Sequence, residues 1–398
     1  MSGPALETFG LDEGVVFLNH GSFGACPRAV LERQRTLRER MEAEPVRFML
    51  RELPGLLEAA RGAVATFVGA DPQDLVFVPN ATTGVNTVLR SLELGPGDEL
   101  LVTDHAYRAC RNALDAVARA TGARVVCARV PFPLRSPDDV LEAVLAAVGP
   151  ATRLALIDHV TSPTALVMPL AELVAALAER GVDTLVDGAH APGMLAVDVA
   201  ALGAAYYVAN GHKWLCAPKG VGFLHVRRDR QAAVRPLVVS HGASAPPDRR
   251  SRMQLEFGWT GTDDPTAALC LPAAIELLGG QLPGGWPALR ARNHALALHA
   301  RDRLCAVLGC EPPAPDAMLG AMATLPLPDG GPTPPVPPFG IDPLQERLWQ
   351  EHRIEVPVMS WPSAPRRVLR VSAQLYNEPA HYERLAGALT GLLSPTTS

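Results

Sequence analysis

Between about residue 75 and residue 226 the chain alternates short apolar runs with helix-length amphipathic segments. Apolar runs at 76–78, 99–103, 124–130, 153–160, 183–187, 206–208 and 222–226 have strand length and predict β-strands. Between them, apolar residues at helical spacing predict helices near 82–92, 107–120, 137–147 and 170–180. Alternation at this spacing builds a mostly parallel seven-stranded sheet with helices on both faces, where ligands bind beyond the carboxyl ends of the strands.

Outside this block the period is helical. Residues 27–44 and 54–68 predict two helices with arginines on their polar side, separated by a break near Pro45 and Pro54. Past residue 270, helices are expected at 285–308 and 342–352, then a strand at Val368–Ser372 and a last helix. The expected organisation is a large α/β domain over 15–270 and a smaller α+β domain over 271–398, with the helices of 27–68 packing against the smaller one. Seven prolines between Pro326 and Pro338 predict a loop with no regular helix or central strand.

Composition narrows the function. A 398-residue chain that is 48% hydrophobic has ample material for substantial cores. A net charge of -5 provides no overall basic field for nucleic acid or an anionic membrane and favours small-molecule chemistry. The amino-terminal residues lack a signal-peptide pattern, and no uncharged apolar run reaches membrane-spanning length, so the expected location is cytoplasmic. Seven cysteines without a Cys-x-x-Cys pair predict scattered reduced thiols.

The basic residues are uneven. Of 36 Lys plus Arg only two are lysine, Lys213 and Lys219, within Asn210-Gly211-His212-Lys213-Trp214-Leu215-Cys216-Ala217-Pro218-Lys219-Gly220. A buried lysine can lose its proton and attack a carbonyl, which a guanidinium cannot do. Two further segments follow strands. Pro79-Asn80-Ala81-Thr82-Thr83-Gly84-Val85-Asn86 opens a helix whose amides and dipole suit a phosphate, although Asn80 and the threonines also fit an ordinary helix cap. Thr184-Leu185-Val186-Asp187-Gly188-Ala189-His190 sets a carboxylate just past a buried strand, suited to a protonated heteroaromatic nitrogen. An amine, a carboxylate and a helix N-terminus together match the needs of pyridoxal 5'-phosphate.

With these motifs, and with Leu18-Asn19-His20-Gly21-Ser22-Phe23-Gly24 and Leu369-Arg370-Val371-Ser372, the chain resembles the class V aminotransferase superfamily of fold-type I pyridoxal-phosphate enzymes, most closely its isopenicillin N epimerase-like branch. The resemblance implies that Lys213 bonds the cofactor as an imine, Asp187 pairs with its pyridine nitrogen, and His190 lies near its phenolic oxygen. It implies that Thr82, Thr83 and His212 hold the phosphate, with Asn210 standing where relatives often carry serine. Tyr107 matches the position whose ring stacks on the cofactor. Gly261 and Thr262 match a loop reaching the neighbouring subunit's cofactor, which implies a homodimer with shared active sites. Arg370 would bind a substrate carboxylate unless an internal salt bridge occupies it, and Asn19, His20 and Ser22 would line the substrate side.

The implied activity is that of an epimerase or carbon-sulfur lyase acting on a small amino-acid substrate. Epimerisation needs a second acid opposite the lysine, for which Tyr107, His20 and Cys216 are candidates. A cysteine desulfurase is disfavoured because the last cysteine is Cys310, in an expected helix. Asp104-His105, Asp158-His159, Asp187 and His190 raise a metal-hydrolase alternative, which leaves Lys213 unexplained, and a silent aminotransferase-like binding protein is the remaining rival.

Overall fold

The computed structural model describes residues 8–330 and 340–393. A short strand, β1 (Val16–Phe17), precedes seven strands at the expected places: β2 (Leu75–Val78), β3 (Glu99–Thr103), β4 (Arg124–Ala128), β5 (Thr152–Asp158), β6 (Asp183–Asp187), β7 (Tyr206–Asn210) and β8 (Gly222–Val226). They form one sheet in the order β2-β8-β7-β6-β5-β3-β4, in which only β8 runs against its neighbours. The order reverses between β3 and β5, and a crevice opens there beyond the carboxyl ends of the strands. Consecutive residues serve opposite faces: Val186 joins the core that continues into the C-terminal layer, and Leu185 the core beneath the helices Ala81–Ser91 and Arg108–Thr121. Each such side chain contributes about 1.5–3 kcal/mol on burial.

The C-terminal layer adds β9 (Met322–Leu327), β10 (Ile354–Glu355), β11 (Val358–Ser360) and β12 (Arg367–Ser372). Antiparallel β11-β12-β9 carries the packed helices Gly285–Leu308 and Pro379–Leu393. β1 pairs with β10, and Ser372 N donates to Leu18 O. Residues 16–18, at the start of the expected large domain, are tied by backbone hydrogen bonds to the C-terminal layer.

Two expectations change. The helix Arg28–Ala43 breaks at Glu44, with φ -152°, as expected near Pro45, but from there the short helix Pro45–Arg47 and the π turn Phe48–Glu52 lead directly into Leu53–Phe67, with no break near Pro54. Pro54 lies in the first turn, where a missing N–H costs nothing. Both long helices pack on the helices Thr266–Leu269 and Leu271–Gly279. Pro326, expected in the loop, lies inside β9 opposite Val368, and an edge strand tolerates the missing donor. Residues 331–339 of that loop lie outside the described residues. Among those described, no helix is long and apolar enough to cross a membrane.

Candidate active site

The carboxyl ends of β2, β3, β5, β6 and β7 surround a cleft of about 690 Å³ lined by residues that include Thr82, Tyr107, Asp187, His190, Asn210, His212 and Lys213. Seven of the residues singled out from sequence thus meet at one place, with Ser22 as an eighth.

The wall after β2 is a capped helix start. Asn80 is extended, with φ -169°, and its Oδ1 accepts from the Thr83 amide at 2.8 Å and the Thr83 hydroxyl at 3.1 Å. Asn210 Oδ1 accepts from the Ala81 amide at 2.8 Å, tying this helix to β7. Gly84 lets the helix press on the sheet, since a Cβ there would come within 2.7 Å of Val208 Cγ1. The Thr82 amide keeps no partner among the described residues, and Thr82 lines the cleft. Thr83, expected to hold phosphate, does not line it, and its hydroxyl donates to the Asn80 side chain.

Asp187 ends β6 at 3% exposure. Its Oδ1 accepts from the Ala189 amide at 3.0 Å, and its Oδ2 accepts from the Cys110 thiol at 3.1 Å. Tyr107 caps the helix after β3 and stays 39% exposed at the cleft, its ring centroid 5.9 Å from Lys213 Nζ.

Lys213 is buried, and its Nζ lies 3.1 Å from His190 Nε2. The indole N–H of Trp214 donates to His190 Nδ1 at 3.3 Å. Indole can only donate, so Nδ1 accepts and the imidazole proton sits on Nε2, pointing at the lysine nitrogen as an acceptor. That contact favours the free amine. Its pKa is lowered to about 8, first by burial and then by Arg370, against the opposing pull of Asp187, so the free amine is a substantial fraction near neutral pH and the major form above pH 8. His212 donates from Nδ1 to Val221 O at 3.2 Å and remains neutral, burial lowering its pKa to about 4.

Arg370 is 2% exposed, lies behind the part of the cleft wall formed by Ser22 and Ser162, and has no acidic partner among the described residues, which counts against the internal salt bridge as its explanation. One terminal nitrogen donates to Ser162 O at 2.6 Å and to Ser162 Oγ at 3.2 Å, the other to Ser22 Oγ at 3.1 Å, and Nε is buried without a partner. Asn19 supports this corner by accepting from Ser22 Oγ at 2.5 Å and donating to Glu355 at 3.0 Å.

His20, expected as a second acid and substrate contact, is fully buried and lies behind the cleft wall. Tyr376 OH at 2.7 Å and the Ala25 amide at 3.3 Å serve Nδ1, leaving the Nε2 proton for Lys213 O at 3.1 Å. Burial lowers its pKa to about 3. Cys216, another expected acid, is buried against His20 with its thiol pKa driven up. The turn carrying His20 lies close against the lysine loop: a Cβ on Gly24 would stand 2.2 Å from His212 O, and Lys219 Nζ donates to Gly24 O at 2.8 Å.

Gly261 and Thr262 do not reach this cleft in their own chain. Gly261, with φ +132°, lines a separate cleft with Arg61, Gln254 and Trp259. The metal alternative loses its geometry: Asp158 lines the cleft while His159 turns to Tyr207 OH at 2.9 Å. Among the described residues no three metal-ligating side chains converge.

Sequence reasoning missed Cys110, Ser162 and Phe23, and read Asp158 only as a metal ligand. The thiol and Ser162 act on neighbours distant in sequence, which no local pattern reveals. Asp158 was legible, since an apolar strand ends there in a carboxylate just as at Asp187.

Pyridoxal phosphate fits what is present. A lysine amine faces the cleft, a buried carboxylate has two donors and room for a third, and an open helix amide waits beside Thr82.

A profile of the family described as aminotransferase class-V matches residues 16–330. Isopenicillin N epimerase of Amycolatopsis lactamdurans is 42% identical, covering 98% of each chain, and that of Streptomyces clavuligerus 38% identical over 96% of each. A putative L-cysteine desulfhydrase of Oryza sativa subsp. japonica is 32% identical over 96% of this chain and 84% of the relative. Among solved structures, the cystine C-S lyase C-DES with cysteine persulfide superimposes with a TM-score of 0.77 at 24% identity, covering 97% of this chain and 98% of that one. Cysteine desulfurase CsdA of Escherichia coli gives 0.78 at 22%, covering 99% of each, and both share the fold.

Proposed function

The chain belongs to the class V aminotransferase family, and on that premise we propose that it is an isopenicillin N epimerase-like enzyme that inverts Cα of an amino-acid-containing substrate. It is a pyridoxal-phosphate enzyme, and the cofactor's pyridinium ring, when bound, withdraws electrons from the bonds at Cα. Lys213 would hold the group through its amine, Asp187 its ring nitrogen, and Thr82 with His212 its phosphate, with Asn210 fixing the helix that carries Thr82. His190 keeps the lysine nitrogen available as a base. Arg370 would take the substrate carboxylate, satisfying its free Nε, with Ser22 and Ser162 holding the guanidinium in place.

The observation that supports inversion is that two proton carriers line one cleft, the Lys213 amine and Tyr107, with the lysine nitrogen over the tyrosine ring 5.9 Å from its centroid. Of the three acids considered, Tyr107 alone lines the cleft. Burial raises its pKa, so it serves in the protonated form. Carbon-sulfur lysis is the second reading, favoured by the desulfhydrase relative. None of the seven cysteines lines the cleft, which counts against a desulfurase.

The test is incubation with penicillin precursors and S-substituted cysteines in deuterated water. Deuterium at Cα with inverted configuration and an intact side chain supports the epimerase; pyruvate, ammonia and a released sulfur fragment establish the lyase. Tyr107→Phe is expected to lower inversion by about 10²-fold while Lys213 still exchanges the α-proton from its own face. Equal loss of both, read by mass spectrometry and chiral chromatography, would remove Tyr107 as the second acid.

The lowered lysine pKa sets a pH profile. Protonation blocks the amine, so uptake of pyridoxal phosphate by the stripped enzyme should slow about tenfold per unit below pH 8 and level off above it. Stopped-flow absorbance checks this; a midpoint near 10.5 would contradict the free-amine assignment.

A cytoplasmic homodimer completes the reading. Phe23 at 68%, Leu50 at 67% and Val239 at 69% exposure leave apolar surface for a second copy, and Gly261 and Thr262 would then complete the partner's site.

A further inference from the structure

Asp158 ends β5 as Asp187 ends β6, and the two stand opposite each other in register, each 3% exposed. Asp187 has its donors in Cys110 and Ala189. Asp158 Oδ2 is buried with no partner, and Asp158 lines the cleft. An unpartnered oxygen in that position is costly unless a bound group supplies its hydrogen bond.

Its ionisation follows from its neighbours. Two carboxylates side by side in a buried site resist carrying both charges. Facing Asp158 are Asp187 from β6, the Tyr107 backbone amide from beyond β3, the Cys110 thiol from the helix that follows it, and Lys213 from the loop after β7. The amide and the lysine favour its charged form, but burial and Asp187 prevail and raise its pKa well above the carboxylate range. Oδ2 has no donor among the described residues, so it is the oxygen free to carry the proton.

We propose that Asp158 is a neutral acid of the cofactor site, its Oδ2–H donating a hydrogen bond to an acceptor oxygen of bound pyridoxal phosphate beside the ring edge that Asp187 holds. The pair then presents one anion, matched to one protonated ring nitrogen, and one neutral donor. This rests on the pyridoxal-phosphate reading.

The test compares full-length wild type, Asp158→Asn and Asp158→Ala by pyridoxal-phosphate titration at neutral pH, followed by visible absorbance. Asparagine keeps a neutral donor of the same shape; alanine removes it. We expect Asp158→Ala to weaken binding about tenfold and Asp158→Asn to stay close to wild type. Asparagine as damaging as alanine would mean that the charge is needed, and alanine binding as well as wild type would mean that no contact exists; either overturns the proposal. Infrared spectra of the cofactor-free protein give a second readout: the C=O stretch of a protonated carboxyl is expected in wild type and lost in Asp158→Asn. Its absence from wild type also overturns the proposal. A wild type that binds no pyridoxal phosphate refutes the cofactor reading instead, and the donor assignment falls with it, whatever the infrared result. Should Asp158→Ala not fold, Asp158→Ser provides the same comparison with a shortened side chain.

Discussion

Lys213→Ala is expected to lower turnover by at least about 10³-fold and to abolish the visible absorbance of the purified enzyme, while the fold persists. The side chain makes one hydrogen bond, to His190, and removing a buried amine relieves the desolvation that lowers its pKa to about 8. Scarcity of lysine makes the result unambiguous. The only other one, Lys219, donates to Gly24 O and lines a different cleft, so it cannot substitute. Lys213→Arg should be equally inactive, because guanidinium holds its proton and cannot bond a carbonyl carbon. Lys219→Met should retain the absorbance, since its contact orders the Gly24 turn and not the cofactor. Absorbance spectra and a circular-dichroism melt of the three variants decide it; a Lys213→Ala protein that keeps its absorbance would end the assignment.

The architecture was legible where it depended on local pattern. Buried parallel strands read as unbroken apolar runs, and their order along the chain fixed which ends carry Asp187 and Lys213. Legibility failed where the deciding neighbour is remote in sequence. His20 has the residue type of an acid catalyst, yet Tyr376, some 356 residues away, and the Lys213 carbonyl occupy its ring. Thr83 has a phosphate-binding hydroxyl in type, but Asn80 engages it. Pro326 reads as a strand breaker, yet sits in β9 because that strand is an edge. In each case the residue type gave the menu of chemistry, and packing selected from it.

Arg370→Met should separate stability from function, raising the first and destroying the second. Burial lowers the Arg370 pKa from 12.5 to about 10, and the residue remains charged at neutral pH. A cation whose folded-state pKa is depressed destabilises the fold while it is charged, here by about 3 kcal/mol, relieved only as pH rises from about 10 towards 12.5. Methionine of similar length removes that penalty at the cost of the hydrogen bonds to Ser162 and Ser22, so a net gain of about 1 kcal/mol is expected, seen as a higher melting temperature. The same change removes the only buried guanidinium beside the cleft among the described residues, and KM for a carboxylate substrate should rise about 10²-fold. A merely structural arginine would give the opposite pair of results, a lower melting temperature with KM unchanged. The expected pair of results would identify the unpaired charge as a stability cost retained for a carboxylate that arrives with the substrate.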